Sequence, residues 1–106
     1  MISAMGADTF DADSTEVFQI YQRAKSEADA ALRRSDLDWT IVRPGGLTDA
    51  AGNGTVTVGE STGRGTIPRA DVAAVVTRCL ADATTIGKQF EVISGDTPIE
   101  AALATM

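Results

Sequence analysis

The chain has no histidine, one cysteine, one tyrosine, one tryptophan and only two lysines, Lys25 and Lys88, among its 106 residues. Without histidine it lacks the usual general base near neutral pH and the usual zinc ligand, and the Ser-His-Asp and Cys-His devices fall together. The lone Cys79 cannot close an internal disulfide. Apolar residues never run long enough to cross a bilayer, so no membrane partner is expected. No charged-then-apolar leader opens the chain, which with the single thiol predicts a cytoplasmic protein. A net charge of -6 makes nucleic acid a poor partner, because the summed field repels a polyanion. Proton chemistry is left to Tyr21, Lys25 or carboxylates.

No metal centre is expected either. Asp8, Asp11 and Asp13 alternate as calcium ligands do, but counting from Asp11 the sixth residue is Glu16, where glycine is needed. The twelfth is Gln22, where a bidentate glutamate is needed. The stretch reads as a solvated acidic loop. Cys79 reads as a small core residue on a helix stripe.

What is present is enough apolar surface, 43% of residues, for one packed domain over residues 1–106. Val17, Ile20, Tyr21, Ala24, Ala28, Ala31 and Leu32 recur at steps of three and four, predicting a helix over 14–35 whose apolar stripe faces the core. Asp13 and Glu16 fit a capping box, and Arg33 and Arg34 suit the carboxyl end. Trp39 to Val42 reads as a buried strand stopped by Pro44, Gly45 and Gly46. Thr55 to Val58 reads as half of a small hairpin with Thr66 and Ile67, and the glycines at 52–54 and 59–65 read as turns. Val72, Val75, Val76, Cys79 and Leu80 predict a helix over 69–83. Phe90, Val92 and Ile93 predict a strand, and Thr97-Pro98 opens a terminal helix with Thr97 as N-cap and Pro98 as first residue. This order has the rhythm of a parallel sheet covered by helices, an α/β fold.

Tyr21 and Lys25 stand four apart on the first helix, so their side chains share a face. An ammonium beside a phenol favours the phenolate, which makes the pair a candidate acid and its electrostatic partner. Spacing alone favours an amphipathic tyrosine at the rim of the core with an exposed lysine below it.

The flanks favour the first reading. "YQRAKSEADAALRRSDLDWTIVRPGGLTD" resembles the atypical short-chain dehydrogenase/reductase family, the NmrA-like NAD(P)-binding proteins, almost throughout their tyrosine-helix and following-strand pattern. "TIPRADVAAVVTRCL" and "GKQFEVISGDTPIEAAL" resemble the family's late helix, last strand and terminal helix, and residues 2–7 resemble the end of the strand before the tyrosine helix.

The resemblance implies a truncated Rossmann-type three-layer fold, the carboxyl-terminal strands and helices of a parallel sheet, without the glycine-rich βαβ unit that holds the pyrophosphate. It implies NAD or NADP as cofactor, Tyr21 as acid, and Lys25 as the group that contacts ribose and tunes the tyrosine. Pro44, Gly45, Gly46 and Leu47 would border the nicotinamide. Ser3 is the nearest match to the family's serine-type donor, which otherwise falls at Ala4 or Met5. It implies an incomplete oxidoreductase unit that needs self-association, or a chain supplying the other half, for a full cofactor site. The alternative is a noncatalytic interaction or sensor module derived from the same fold.

Overall fold

The computed structural model describes residues 1–7 and 17–106. The Asp13–Glu16 cap and the acidic loop lie outside them. Helix α1 spans Val17–Arg33, and β1 (Thr40–Pro44) follows a short turn. Next come β2 (Gly46–Thr48), β3 (Thr55–Gly59), β4 (Thr66–Pro68) and α2 (Arg69–Ala81). A 3₁₀ turn at Ala83–Thr85, β5 (Lys88–Ser94), β6 (Thr97–Pro98) and α3 (Ile99–Ala104) complete the chain.

The main sheet has the order β1-β5-β3-β6. β1 and β5 run parallel, with Val42 opposite Phe90, whereas β3 is antiparallel to both β5 and β6. The sheet is therefore mixed rather than purely parallel. The first residues extend it on the other side of β1. Ser3 N–H donates to Val42 O at 2.7 Å, Val42 N–H donates to Met1 O at 2.9 Å, and Ile2 bridges Val42 in parallel.

Alternation along β1 assigns the layers. Val42 points to one face, into a core built with Val56, Ile67, Val72, Val75, Phe90, Val92 and Leu103, so α2 and α3 cover that side. Arg43 points the other way and meets Asp29 of α1, so α1 covers the opposite side. The result is the expected three-layer α/β arrangement.

Three local expectations are corrected. Thr55–Gly59 and Thr66–Pro68 do not form a hairpin: β3 joins the main sheet, and β4 pairs in parallel with β2 as a separate two-stranded ribbon. The chain leaves the main sheet at Gly45, whose N–H donates to Val92 O, and enters the ribbon when Gly46 N–H donates to Gly65 O, each at 3.0 Å. A long-range pairing of this kind has no local sequence signal. The terminal helix starts at Ile99, with Pro98 rather than Thr97 in the cap position, because Thr97 and Pro98 are drawn into pairing with Thr55 and Val56.

The third correction concerns α1. Its predicted core stripe faces outward: Val17 is 83% exposed, and Ile20 and Tyr21 are about half exposed. Its buried residues are Gln22 and Asp29, both polar. α2 behaves as expected at Val72 and Val75, which are buried, and Cys79 packs against the core, but Leu80 is exposed. Gly54, Gly63 and Gly87 turn the chain at positive φ, as the glycine-rich turns predict. After α2, Asp82 accepts the Thr84 N–H at 3.0 Å, and that bond holds its carboxyl below the ordinary value. Among the described residues no helix is long and apolar enough to cross a membrane, and no group of three acidic or cysteine side chains is placed to hold a metal.

Candidate functional site

The site is built on the inner edge of α1, which docks on the sheet by polar contacts spaced along its length. Gln22 Nε2 donates to Met5 O at 3.1 Å, and Lys25 Nζ donates to Ile2 O at 3.0 Å. Asp29 Oδ2 accepts from Ser3 Oγ at 2.5 Å and from Arg43 Nη2 at 2.8 Å and Nε at 3.2 Å. Arg33 reaches Gln89 on β5. The apolar stripe, being the outward face, leaves the helix position to these bonds. Each is directional, so together they fix both the register and the roll of α1.

That roll sets where Tyr21 and Lys25 lie. The Lys25 ammonium sits 5.7 Å from the Tyr21 ring centroid, close enough for the cation to interact with the ring. Phe18 stacks against that tyrosine, with centroids 6.5 Å apart. Tyr21 is about half exposed. Lys25 is held beside the Ile2 carbonyl, on the segment that extends the sheet beyond β1.

A cleft of about 550 Å³ opens where residues 4–6 and the carboxyl end of β1 leave the sheet. Ala4 and Met5 form one wall, and Phe18, Gln19 and Gln22 of α1 form the next. Pro44, Gly45 and Gly46 close it from below, and Arg64 and Gly65 from the side. Crevices beyond the carboxyl ends of strands are where open α/β sheets bind ligands, and this volume lies within the usual range for small-molecule sites, about 300–1,000 Å³.

The bend beneath the cleft has an internal reason for its glycines. A Cβ on Gly45 would lie 2.4 Å from Gly65 O and 2.9 Å from Ile93 Cγ2, and one on Gly65 would meet the Ile93 side chain at 2.9 Å. The ribbon crosses over β5 with no room for a side chain at either crossing point.

The structure thus brings some of the expected residues together and separates others. Tyr21 and Lys25 are neighbours. Pro44, Gly45 and Gly46 line the cleft, while Leu47 is half exposed on β2 and does not. Tyr21 and Lys25 do not line the cleft either; they flank it on the adjoining face of the helix that supplies Phe18, Gln19 and Gln22. Ser3 is buried under α1 and spends its hydroxyl on Asp29, two turns along from Tyr21, so it stands as a docking residue, and Ala4 and Met5 occupy the cleft wall.

Gln22, Arg64 and the Asp29–Arg43 pair are not evident from sequence motifs. A faint signal exists for two of them. Gln22 and Asp29 stand seven apart, hence on one helix face, and Arg43 is a charge inside an otherwise apolar strand.

Comparisons with known proteins bear on the family and the fold. A family model described as NAD(P)H-binding matches residues 1–83. An uncharacterized sugar epimerase of Bacillus subtilis is 41% identical over 103 residues, which is 97% of this chain and 48% of the relative. A solved Bacillus halodurans protein assigned as an NAD-dependent epimerase/dehydratase is 40% identical, with a TM-score of 0.88 over 100% of this chain and 50% of that one. An anaerobillin reductase from Escherichia coli is 30% identical, with a TM-score of 0.73 over 90% of this chain and 48% of its own. The chain therefore spans about half the length of the relatives it matches. With its Rossmann-like layers, strand-end cleft and tyrosine helix, it belongs to the NAD(P)H-binding family of the atypical, NmrA-like short-chain dehydrogenase/reductase type.

Proposed function

We propose that this chain is the nicotinamide-side half of an NAD(P)-dependent oxidoreductase or epimerase unit, and that a polypeptide supplying a glycine-rich phosphate-binding half completes its cofactor site. The observation that carries this reading is the Lys25 ammonium, 5.7 Å from the Tyr21 ring, on a helix whose next face lines the Pro44–Gly46 cleft. The relatives bear names of epimerases and reductases and are about twice as long.

In this reading the nicotinamide ring enters beside Pro44, Gly45 and Gly46, and Leu47 meets it from the rim. The family fold suits the group: the cleft is open and its floor is free of side chains at Gly45 and Gly46. Bound NAD(P)H supplies the hydride. Tyr21 holds, on its hydroxyl, the proton that passes to the substrate oxygen as that oxygen gains negative charge. Lys25 steadies the resulting phenolate and contacts ribose hydroxyls, while Ser3 acts through Asp29 to keep the helix seated.

In this reading the glycine-rich turn and helix that hold the pyrophosphate belong to the other half, so the chain alone binds dinucleotide weakly. Isothermal titration with NADH and NADPH is expected to give no saturation at micromolar concentrations, and micromolar affinity would overturn the need for a second half. In a completed assembly, Tyr21→Phe is expected to remove cofactor-dependent turnover while leaving the circular dichroism spectrum unchanged. Undiminished turnover would refute the assigned role.

One observation favours the noncatalytic alternative. Lys25 is already committed to the Ile2 carbonyl and neither it nor Tyr21 lines the cleft, an arrangement that also suits a sensor in which cofactor binding, not turnover, is the signal. Cofactor binding to the completed assembly with no turnover in either the parent or the Tyr21→Phe variant would select that reading.

A further inference from the structure

Five of the seven arginines hold a side-chain acceptor: Arg23 pairs with Glu27, Arg33 with Gln89, Arg43 with Asp29, Arg69 with Asp49, and Arg78 with Glu100. Arg64 is different. It makes no such contact among the described residues, and it is the one charged side chain among those that line the cleft.

Its position is not accidental to a loose loop. On one side, Thr62 N–H donates to Glu91 Oε1 at 3.0 Å, which ties the loop to β5. On the other, Gly65 O accepts the Gly46 N–H at 3.0 Å, and Gly65 rests directly on Ile93. Gly63, at φ 77°, makes the turn between the two anchors. Arg64 therefore projects from a segment fixed at both ends, beside the bend that floors the cleft. In a chain of net charge -6, a guanidinium at a concave site with no side-chain acceptor among the described residues is a local positive charge that favours an anion. Another wall carries an unfilled acceptor: Gln22, 4% exposed, gives Nε2 to Met5 and leaves Oε1 without a donor among the described residues.

We propose that the cleft takes a ligand bearing a carboxylate or phosphate group and that Arg64 holds that anion. A planar guanidinium binds either group through two parallel hydrogen bonds, and it keeps its charge at every physiological pH. The anion belongs either to the substrate, as a carboxylate, or to the nucleotide, as a phosphate. This inference rests on the reading of the cleft as the ligand pocket beside Tyr21.

The test is a nitrogen-15 NMR titration of the 106-residue chain with benzoate, its neutral isostere benzamide, and nicotinamide mononucleotide, each also against Arg64→Met. The expected result is saturable movement of the Gly45, Gly46 and Gly65 amides with at least one anionic probe, weakened roughly tenfold or more by Arg64→Met. Benzamide binding should be insensitive to the substitution. Sensitivity with benzoate alone identifies a substrate carboxylate, and sensitivity with the mononucleotide alone identifies a cofactor phosphate. If probes move the cleft amides equally in both proteins, the anion role of Arg64 is overturned while the cleft remains a ligand site. If none moves them, the cleft reading falls as well.

Discussion

The Asp29–Arg43 pair allows a quantitative test of how the tyrosine helix is held. Asp29 is fully buried and the Arg43 side chain is 7% exposed, so water does not screen the pair. Replacing Arg43 with methionine removes the bonds from Nη2 at 2.8 Å and Nε at 3.2 Å and leaves the Asp29 carboxylate with Ser3 alone. Breaking one side of a buried ion pair costs about 3–5 kcal/mol, a large part of the roughly 5–15 kcal/mol that stabilises a domain of this size. Asp29→Leu removes the carboxylate that the guanidinium meets and should also destabilise the fold. The double variant removes both members of the ion pair together, and the lost Ser3 bond adds about 1 kcal/mol. Urea unfolding followed by Trp39 fluorescence and circular dichroism would give all three values. The expected outcome is a double variant more stable than either single one, with a coupling of several kcal/mol. Single variants costing under about 1 kcal/mol, or costs that simply add, would refute the view that this pair seats α1.

Two other predictions concern packing. Gly45→Ala should destabilise the fold by about 1–3 kcal/mol, because its Cβ would meet the backbone oxygen of Gly65 at 2.4 Å. Gly46→Ala, with its nearest contact at 3.4 Å, should cost much less, and equal melting temperatures for the two variants would contradict the crossing geometry. On the outer face of α1, Val17→Glu with Ile20→Glu should abolish self-association. Sedimentation velocity should show the parent chain growing in mass with concentration and the double variant staying a monomer, and a parent that is monomeric throughout would remove the case for an association surface.

The period of α1 could be read from the sequence, but its direction could not. Steps of three and four from Val17 to Leu32 correctly predict a helix, because an apolar stripe implies that period wherever the stripe faces. Which way it faces depends on the neighbours. Here Ser3, Met5 and Arg43 present polar groups to the helix, so Gln22 and Asp29 turn inward and the stripe turns out. β1 and β5 were legible because β-branched runs between glycines and prolines mark buried strands. The β2–β4 ribbon was not, since three-residue strands that pair across about twenty positions carry no periodic signal of their own. In the site, Tyr21 and Lys25 could be paired because helix geometry brings residues four apart together. Arg64 could not be joined to them, because only the tertiary crossing at Gly45 and Gly65 brings its loop to the cleft.

The outward stripe also bears on what could complete the site. Val17, Phe18, Ile20 and Tyr21 are between 46% and 83% exposed. At about 1.5–3 kcal/mol for full burial of each side chain, covering what remains exposed yields on the order of 5 kcal/mol. That falls short of the roughly 8 kcal/mol of micromolar affinity even before the entropy of association is counted. A second apolar surface lies close by, a groove lined by Met1, Ile2, Leu37, Leu80 and Ile86, each at least 40% exposed. Ile2 links the two, since its carbonyl receives Lys25 of α1 and its side chain lines the groove. A covering layer that spans both surfaces along the Ile2 edge gains on the order of 10 kcal/mol, about twice what α1 alone offers against the same entropic cost of association. A partner that covers only one of them is not held. Charges placed in the groove, as in Leu37→Glu with Leu80→Glu, should therefore release the same partner as charges on α1, although the two sets of substitutions share no residue.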